Sequence, residues 1–116
     1  LHKIREMDTT VMDAETVLRM ATIEGARALG MEKITGSIEK GKKADIIVID
    51  INKPHLTPMY NPYSHLVYSA KGSDVIHSII DGRLVMSGRR LLTIDLKEVI
   101  EKATVISNNI KLHMKE

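Results

Sequence analysis

The chain contains no cysteine, no phenylalanine and no tryptophan, and its only aromatic residues are three tyrosines. Without cysteine there is no disulfide scaffold, no thiolate zinc site and no thiol nucleophile. Ile, Val, Leu and Met must therefore fill the core. Long apolar runs are missing as well: the longest, 46–49, is far short of the roughly 20 residues that a membrane helix needs. Charge of one sign is scarce, since 17 basic residues face 15 acidic ones for a net charge of +2. Those charges are interspersed, which argues against a nucleic-acid or membrane-surface module built on one basic patch. No signal peptide opens the sequence and Leu1 is not an initiator Met. We expect a cytoplasmic location, and a length of 116 residues allows one small domain or a piece of a larger one.

What is present reads as an α+β pattern. Asp13 is a good N-cap, and Val17, Leu18, Ala21, Gly25, Ala28 and Leu29 recur at helical spacing before Gly30, so one helix is expected over 14–29. Ala21, Gly25 and Ala28 give it a face of small side chains suited to close approach by another backbone. Residues 34–38 can form a short extended piece, and Glu39 to Lys43 a charged turn. The run 44–51 reads as a strand apolar on both faces and hence covered on both. A loop carrying Pro54, Pro58 and Pro62 occupies 52–62, followed by a short helix over 63–70. Segments 74–80 and 83–86 flank Asp81-Gly82, the dipeptide of a type I′ hairpin turn, and 90–92 can add a strand. Asp95 and Glu98 open a final helix over 96–112, with Leu96, Val99, Ile100, Ala103, Ile106 and Ile110 along one face.

Individual motifs weigh little. Residues 36–42 match G-x-x-x-x-G-K, but Lys43 stands where a phosphate loop needs Ser or Thr, and a strand rather than a helix follows. The segment reads as a charged turn. Among His2, His55, His65, His77 and His113 no pair sits at i,i+2 or i,i+4. His55 and His65 share the proline-loop region and could approach each other, yet zinc needs three or four converging ligands. Ser64 beside His65 is sequence adjacency rather than a dyad, and Asp45 and Asp50 mark the ends of a strand. Arg89-Arg90 reads as a solvated turn, and Met12, Met20 and Met31 as gap-fillers around the first helix. No catalytic, cofactor-binding or metal-binding residue is assigned in this chain.

The series of segments is more specific. LRMATIEGARALG at 18–30, GSIEKGKKADIIVID at 36–50, SHLVYSA at 64–70, and DGRLVM at 81–86 leading to LLTID at 91–95 together resemble the C-terminal part of the amidohydrolase superfamily. Within it they are most similar to the chlorohydrolase and 5-methylthioadenosine/S-adenosylhomocysteine deaminase branch. The resemblance implies that 1–30 holds the last helical part of a (β/α)8 hydrolase barrel, 31–94 a segment of a small composite β-sandwich domain, and 95–116 a C-terminal helix. It also implies a parent enzyme that uses zinc or a similar divalent metal to release ammonia from an adenosine-type purine. The family's H-x-H pair, further histidines and aspartate have no counterpart here, so this chain is expected to be structural and inactive. The implied partners are the remainder of the parent barrel or, for an isolated piece with uncovered apolar faces, a second copy in a homo-oligomer or exchanged dimer. No nucleic-acid or membrane partner is expected. A stand-alone binding or interaction domain is the alternative, and a nucleotide-binding module through 36–42 a third reading.

Overall fold

The computed structural model describes residues 13–115. Leu1, His2 and Met12 lie outside them. Two short helices come first, α1 over Ala14–Met20 and α2 over Ile23–Ala28. Asp13 caps α1, its carboxylate accepting from the Thr16 N–H at 2.7 Å. The single helix expected over 14–29 is thus broken, and the reason is local chemistry at Thr22. Its hydroxyl donates to the Leu18 carbonyl at 2.8 Å, competing with the helix ladder, and its backbone leaves the helical region at φ −125°, ψ −103°. Gly25 lets α2 fold in behind the break, since a Cβ there would lie 2.7 Å from the Met20 carbonyl oxygen.

The extended piece expected over 34–38 does not form. Ile34 and Thr35 donate to the Met31 carbonyl in a turn, at 2.9 and 3.0 Å, and Gly36 takes φ +98°. Tertiary packing overrides β propensity here: Gly36 lies against α2 so closely that a Cβ would meet the Ala26 Cβ at 2.7 Å. Ala26 is correspondingly buried, while Ala21 and Ala28 on the small-residue face stay exposed.

Four antiparallel strands follow in the order β1-β2-β3-β4: β1 Ile46–Ile49, β2 Val75–Ile80, β3 Arg83–Ser87 and β4 Arg90–Leu91. Asp81 (φ 51°) and Gly82 (φ 75°) form the expected hairpin turn between β2 and β3, both in the left-handed region. Register is set by Ile46 opposite Ile79, Val48 opposite His77 and Ile79 opposite Leu84. The strand expected over 44–51 forms only over its apolar run, 46–49, and it is not covered on both faces among the described residues. Ile47 is 57% exposed and Val48 40%. Among the described residues β1 is an edge strand that pairs only with β2.

Between β1 and β2 the proline loop folds into a 3-10 turn at Pro54–Leu56 and reaches α3, Pro62–Ser64, which widens into a π turn at His65–Ser69. The Thr57–Pro58 peptide bond is cis. Asn61 caps α3, its side chain accepting from the N–H groups of Tyr63 and Ser64. The last element, α4, spans Leu96–Met114, two residues longer than its sequence pattern suggests. Asp95 accepts from the Glu98 N–H at 3.1 Å, and Glu98 pairs with Lys102 at 2.7 Å. The buried core is small among the described residues, with Leu56 almost wholly enclosed and Ala14, Ala26 and Met86 also buried.

Candidate functional site

One polar cluster holds the proline loop to the start of β2. Lys71 begins a 3-10 turn over Gly72–Asp74, which brings the Asp74 carboxylate back onto the Lys71 N–H at 2.8 Å. Nineteen residues earlier, the turn at Pro54–Leu56 presents His55, whose Nε2 donates to the same Asp74 oxygen at 2.7 Å. The Asp50 N–H donates to the Asp74 carbonyl at 2.9 Å, tying in the end of β1. Asp74 is 3% exposed, and the His55 hydrogen bond, with help from the Lys71 N–H, holds its carboxyl below the usual carboxylate range. Leu56, next to His55, is the most deeply buried side chain of the described residues.

A second cluster closes the other end of β1. Asp45 accepts from the Asp81 N–H at 2.8 Å and from the Thr35 hydroxyl at 2.7 Å, bonds that lower its pKa in that order of importance. Gly82 donates to the Ala44 carbonyl alongside, at 2.9 Å. Asp45 and Asp50 do mark the ends of β1, and each fastens its end to the β2 side of the sheet. Sequence reasoning saw that placement but missed Asp74, whose partner His55 is remote in sequence. The only local signal is the spacing of Asp74 three residues after Lys71, which suits a carboxylate folding back on a turn N–H.

Histidine and carboxylate in contact can orient a general base, but the pair needs a nucleophile or a substrate proton within reach. Among the described residues the only side-chain hydrogen bond of His55 is to Asp74. His65 does not join it: its Nδ1 donates to the Asn61 carbonyl at 3.0 Å. His77 uses Nδ1 to accept from the Gly88 N–H at 3.0 Å, and His113 donates to Asn109 on its own helix. No three or more His, Asp or Glu side chains converge on a metal position among the described residues. The described residues therefore do not fit a zinc ion. Lys42, the lysine of the phosphate-loop-like segment, is held by Ser37 at 2.7 Å and Glu39 at 2.9 Å, and β1 follows it rather than a helix. Arg89, with φ +71°, lies in an exposed turn as expected, and its guanidinium also donates to the Gly72 and Val75 carbonyls. No helix among the described residues is long and apolar enough to cross a membrane.

Both clusters are thus clamps that set the loop, sheet and turn against each other. Comparison with known proteins gives them a context. Residues 1–85 match the amidohydrolase family. The chain belongs to the amidohydrolase family. An amidohydrolase relative, a 5-methylthioadenosine/S-adenosylhomocysteine deaminase of Syntrophus aciditrophicus, is 53% identical over 116 residues, which is all of this chain and 26% of the relative. A 5′-deoxyadenosine deaminase of Methanosarcina acetivorans is 49% identical over 110 residues, covering 95% of this chain and 25% of its own length. The crystal structure of a zinc-bound adenosine deaminase from Xanthomonas campestris superposes with a TM-score of 0.82 at 35% identity, over 86% of this chain and 23% of that one. This amidohydrolase chain spans about a quarter of the length of the curated relatives it matches.

Proposed function

We propose that this chain is the C-terminal quarter of a metal-dependent deaminase acting on an adenosine-type purine such as S-adenosylhomocysteine or 5-methylthioadenosine. In this reading α1 and α2 close the hydrolase barrel, the four-stranded sheet contributes to a small composite domain, and the chain itself is structural. One observation carries it. Identity to a deaminase runs along all 116 residues, yet the described residues hold no metal cluster and no catalytic constellation. The zinc named with the Xanthomonas enzyme supports a divalent metal for the parent, held by residues outside the described ones. That metal would supply an activated water for C–N hydrolysis. The role of this chain's residues is to hold the sheet and proline loop in place.

Unsatisfied surface supports the same reading. Leu29 is 76% exposed and Ile38 82%, and one carboxylate oxygen of Glu32 is buried without a partner among the described residues. A buried acceptor without a donor is costly, and exposed apolar residues at this density favour contact with further protein.

The test is ammonia release from S-adenosylhomocysteine, 5-methylthioadenosine and 5′-deoxyadenosine with zinc supplied. The chain alone should release none. Co-expressed with the remaining three quarters of the Syntrophus deaminase, it should restore turnover. Zinc-dependent turnover by the chain alone would sink the reading, and so would failure of the mixture where the intact relative is active.

A further inference from the structure

We propose that Asp81 is a latent site of isoaspartate formation, sealed in the folded chain by the hydrogen bonds that Ala44 and Asp45 make to its turn. The proposal rests on this turn alone and not on the deaminase reading. Asp81-Gly82 is the one Asp-Gly or Asn-Gly step in the sequence. Glycine after aspartate leaves the following backbone nitrogen unshielded by a side chain. The Asp81 side chain is itself 66% exposed. A Cβ built on Gly82 would meet nothing within 4 Å, so no packed side chain covers Gly82 among the described residues. The guard on this turn is its hydrogen bonding.

The reaction is internal and needs no other reactant than water. The Gly82 nitrogen attacks the Asp81 Cγ: an N–C bond forms, one Cγ–O bond breaks, and that oxygen leaves as water with the amide proton and the carboxyl proton. Water then opens the resulting succinimide. Cleavage of the Cγ–N bond restores aspartate, whereas cleavage at the former α-carbonyl leaves the chain running through the side chain as isoaspartate. Three features of the fold oppose ring closure. The Gly82 N–H is held by the Ala44 carbonyl at 2.9 Å. Asp81 has φ 51°, and an L-residue there takes ψ of about +30 to +60°, which sets the Gly82 nitrogen opposite the side chain across the Cα–C bond. The Asp81 N–H donates to Asp45 at 2.8 Å, and the Thr35 hydroxyl fixes Asp45 in turn at 2.7 Å, so the turn rotates only when this clamp opens. Lys43, 3.8 Å from the Asp81 carboxylate and also exposed, adds little. Isoaspartate would add a methylene to the backbone of a two-residue turn and so disrupt the pairing of Ile80 with Arg83 beside it.

The experiment stores the 116-residue chain at neutral pH and follows the tryptic peptide 72–83, in which isoaspartate separates chromatographically without a change of mass. A synthetic peptide of residues 77–86 gives the rate of an open turn. The folded chain should isomerise at least about tenfold more slowly than the peptide, because ring closure must wait for local opening. Asp45→Ala should recover most of that difference and speed hydrogen exchange at the Gly82 amide. Asp45→Asn keeps an accepting oxygen and should stay near the parent rate. Thr35→Val, which leaves the turn untouched and frees only Asp45, should fall between parent and Asp45→Ala. Circular dichroism shows which variants remain folded; if Asp45→Ala does not, Thr35→Val and the peptide comparison decide. Equal rates in chain and peptide overturn the proposal, as does a peptide that forms no isoaspartate. A folded Asp45→Ala or Thr35→Val chain no faster than the parent overturns it too, and so does Asp45→Asn matching a folded Asp45→Ala. None of these readings depends on ammonia release, so the two proposals fail separately.

Discussion

Replacing Gly36 by alanine tests whether the turn after α2 is fixed by packing or by its own chemistry. The added Cβ would lie 2.7 Å from the Ala26 Cβ, 3.0 Å from the Ile23 Cα and 3.2 Å from the Thr22 carbonyl oxygen. Two of those three atoms are backbone and cannot swing aside. The position also has φ +98°, a region that L-residues avoid at a cost of about 1–2 kcal/mol. Overpacking adds about 1–3 kcal/mol, because α2 must move or the turn must open. Gly41 supplies the control: its φ is +93°, but nothing lies within 4 Å of its would-be Cβ. Gly41→Ala should therefore incur the backbone term alone, and the two variants should differ by about 1–3 kcal/mol. Urea denaturation followed by circular dichroism reads that difference, provided the m-values agree. Equal destabilisation of the two variants, or a neutral Gly36→Ala, would refute the claim that α2 and the turn are packed against each other.

Three further outcomes follow from named contacts. Leu56→Ala should cost about 2–4 kcal/mol in the same denaturation assay, because Leu56 is 1% exposed and the surrounding loop has little with which to refill the space; a loss below about 1 kcal/mol would mean that the loop is not anchored there. Asp95→Ala should lower stability or α4 helicity by about 1 kcal/mol through loss of the Glu98 N–H acceptor, whereas Asp95→Asn should largely retain it; equal effects of the two would remove the capping role. The third is a pH dependence. Asp74 is held below its ordinary value of about 3.9, so the stability it contributes is complete above that pH and is lost as pH falls through the depressed folded value. Asp74→Asn should flatten the fall of the urea midpoint between about pH 4 and pH 2, and an unchanged slope would show that other carboxylates carry the acid response.

The elements legible in the sequence are those whose determinants sit within four residues of each other. Asp81-Gly82 specifies its turn because both residues must adopt positive φ, and that requirement is written in the dipeptide. Asp95 and Glu98 specify the start of α4 in the same way. The misread elements depend on atoms elsewhere. A helical period over 14–29 says nothing of the Thr22 hydroxyl turning back to Leu18, nor of Gly36 pressing on Ala26 from the next segment. Ile34 and Ile38 have strand propensity, yet Gly36 between them is constrained by that contact, and the turn prevails. An apolar run such as 46–49 suggests burial on both faces, yet Ile47 and Val48 stay exposed, because no described element packs over either face of this edge strand. The same reasoning applies to the site. His55 and Asp74 are nineteen residues apart, and only the fold makes them partners. Once paired, the Nε2 of His55 is engaged by a carboxylate that also accepts from the Lys71 N–H, and the pair fastens the proline loop to the start of β2. The functional reading thus depends on the ordered series of segments, each of which is a structural device. GSIEKGKKAD supplies the Gly36 contact and the Asp45 clamp, and DG supplies the turn whose Asp81 N–H that clamp receives. Motifs that name the family here do so because they build the frame, so the substrate must be written in residues that the frame supports rather than in the frame itself.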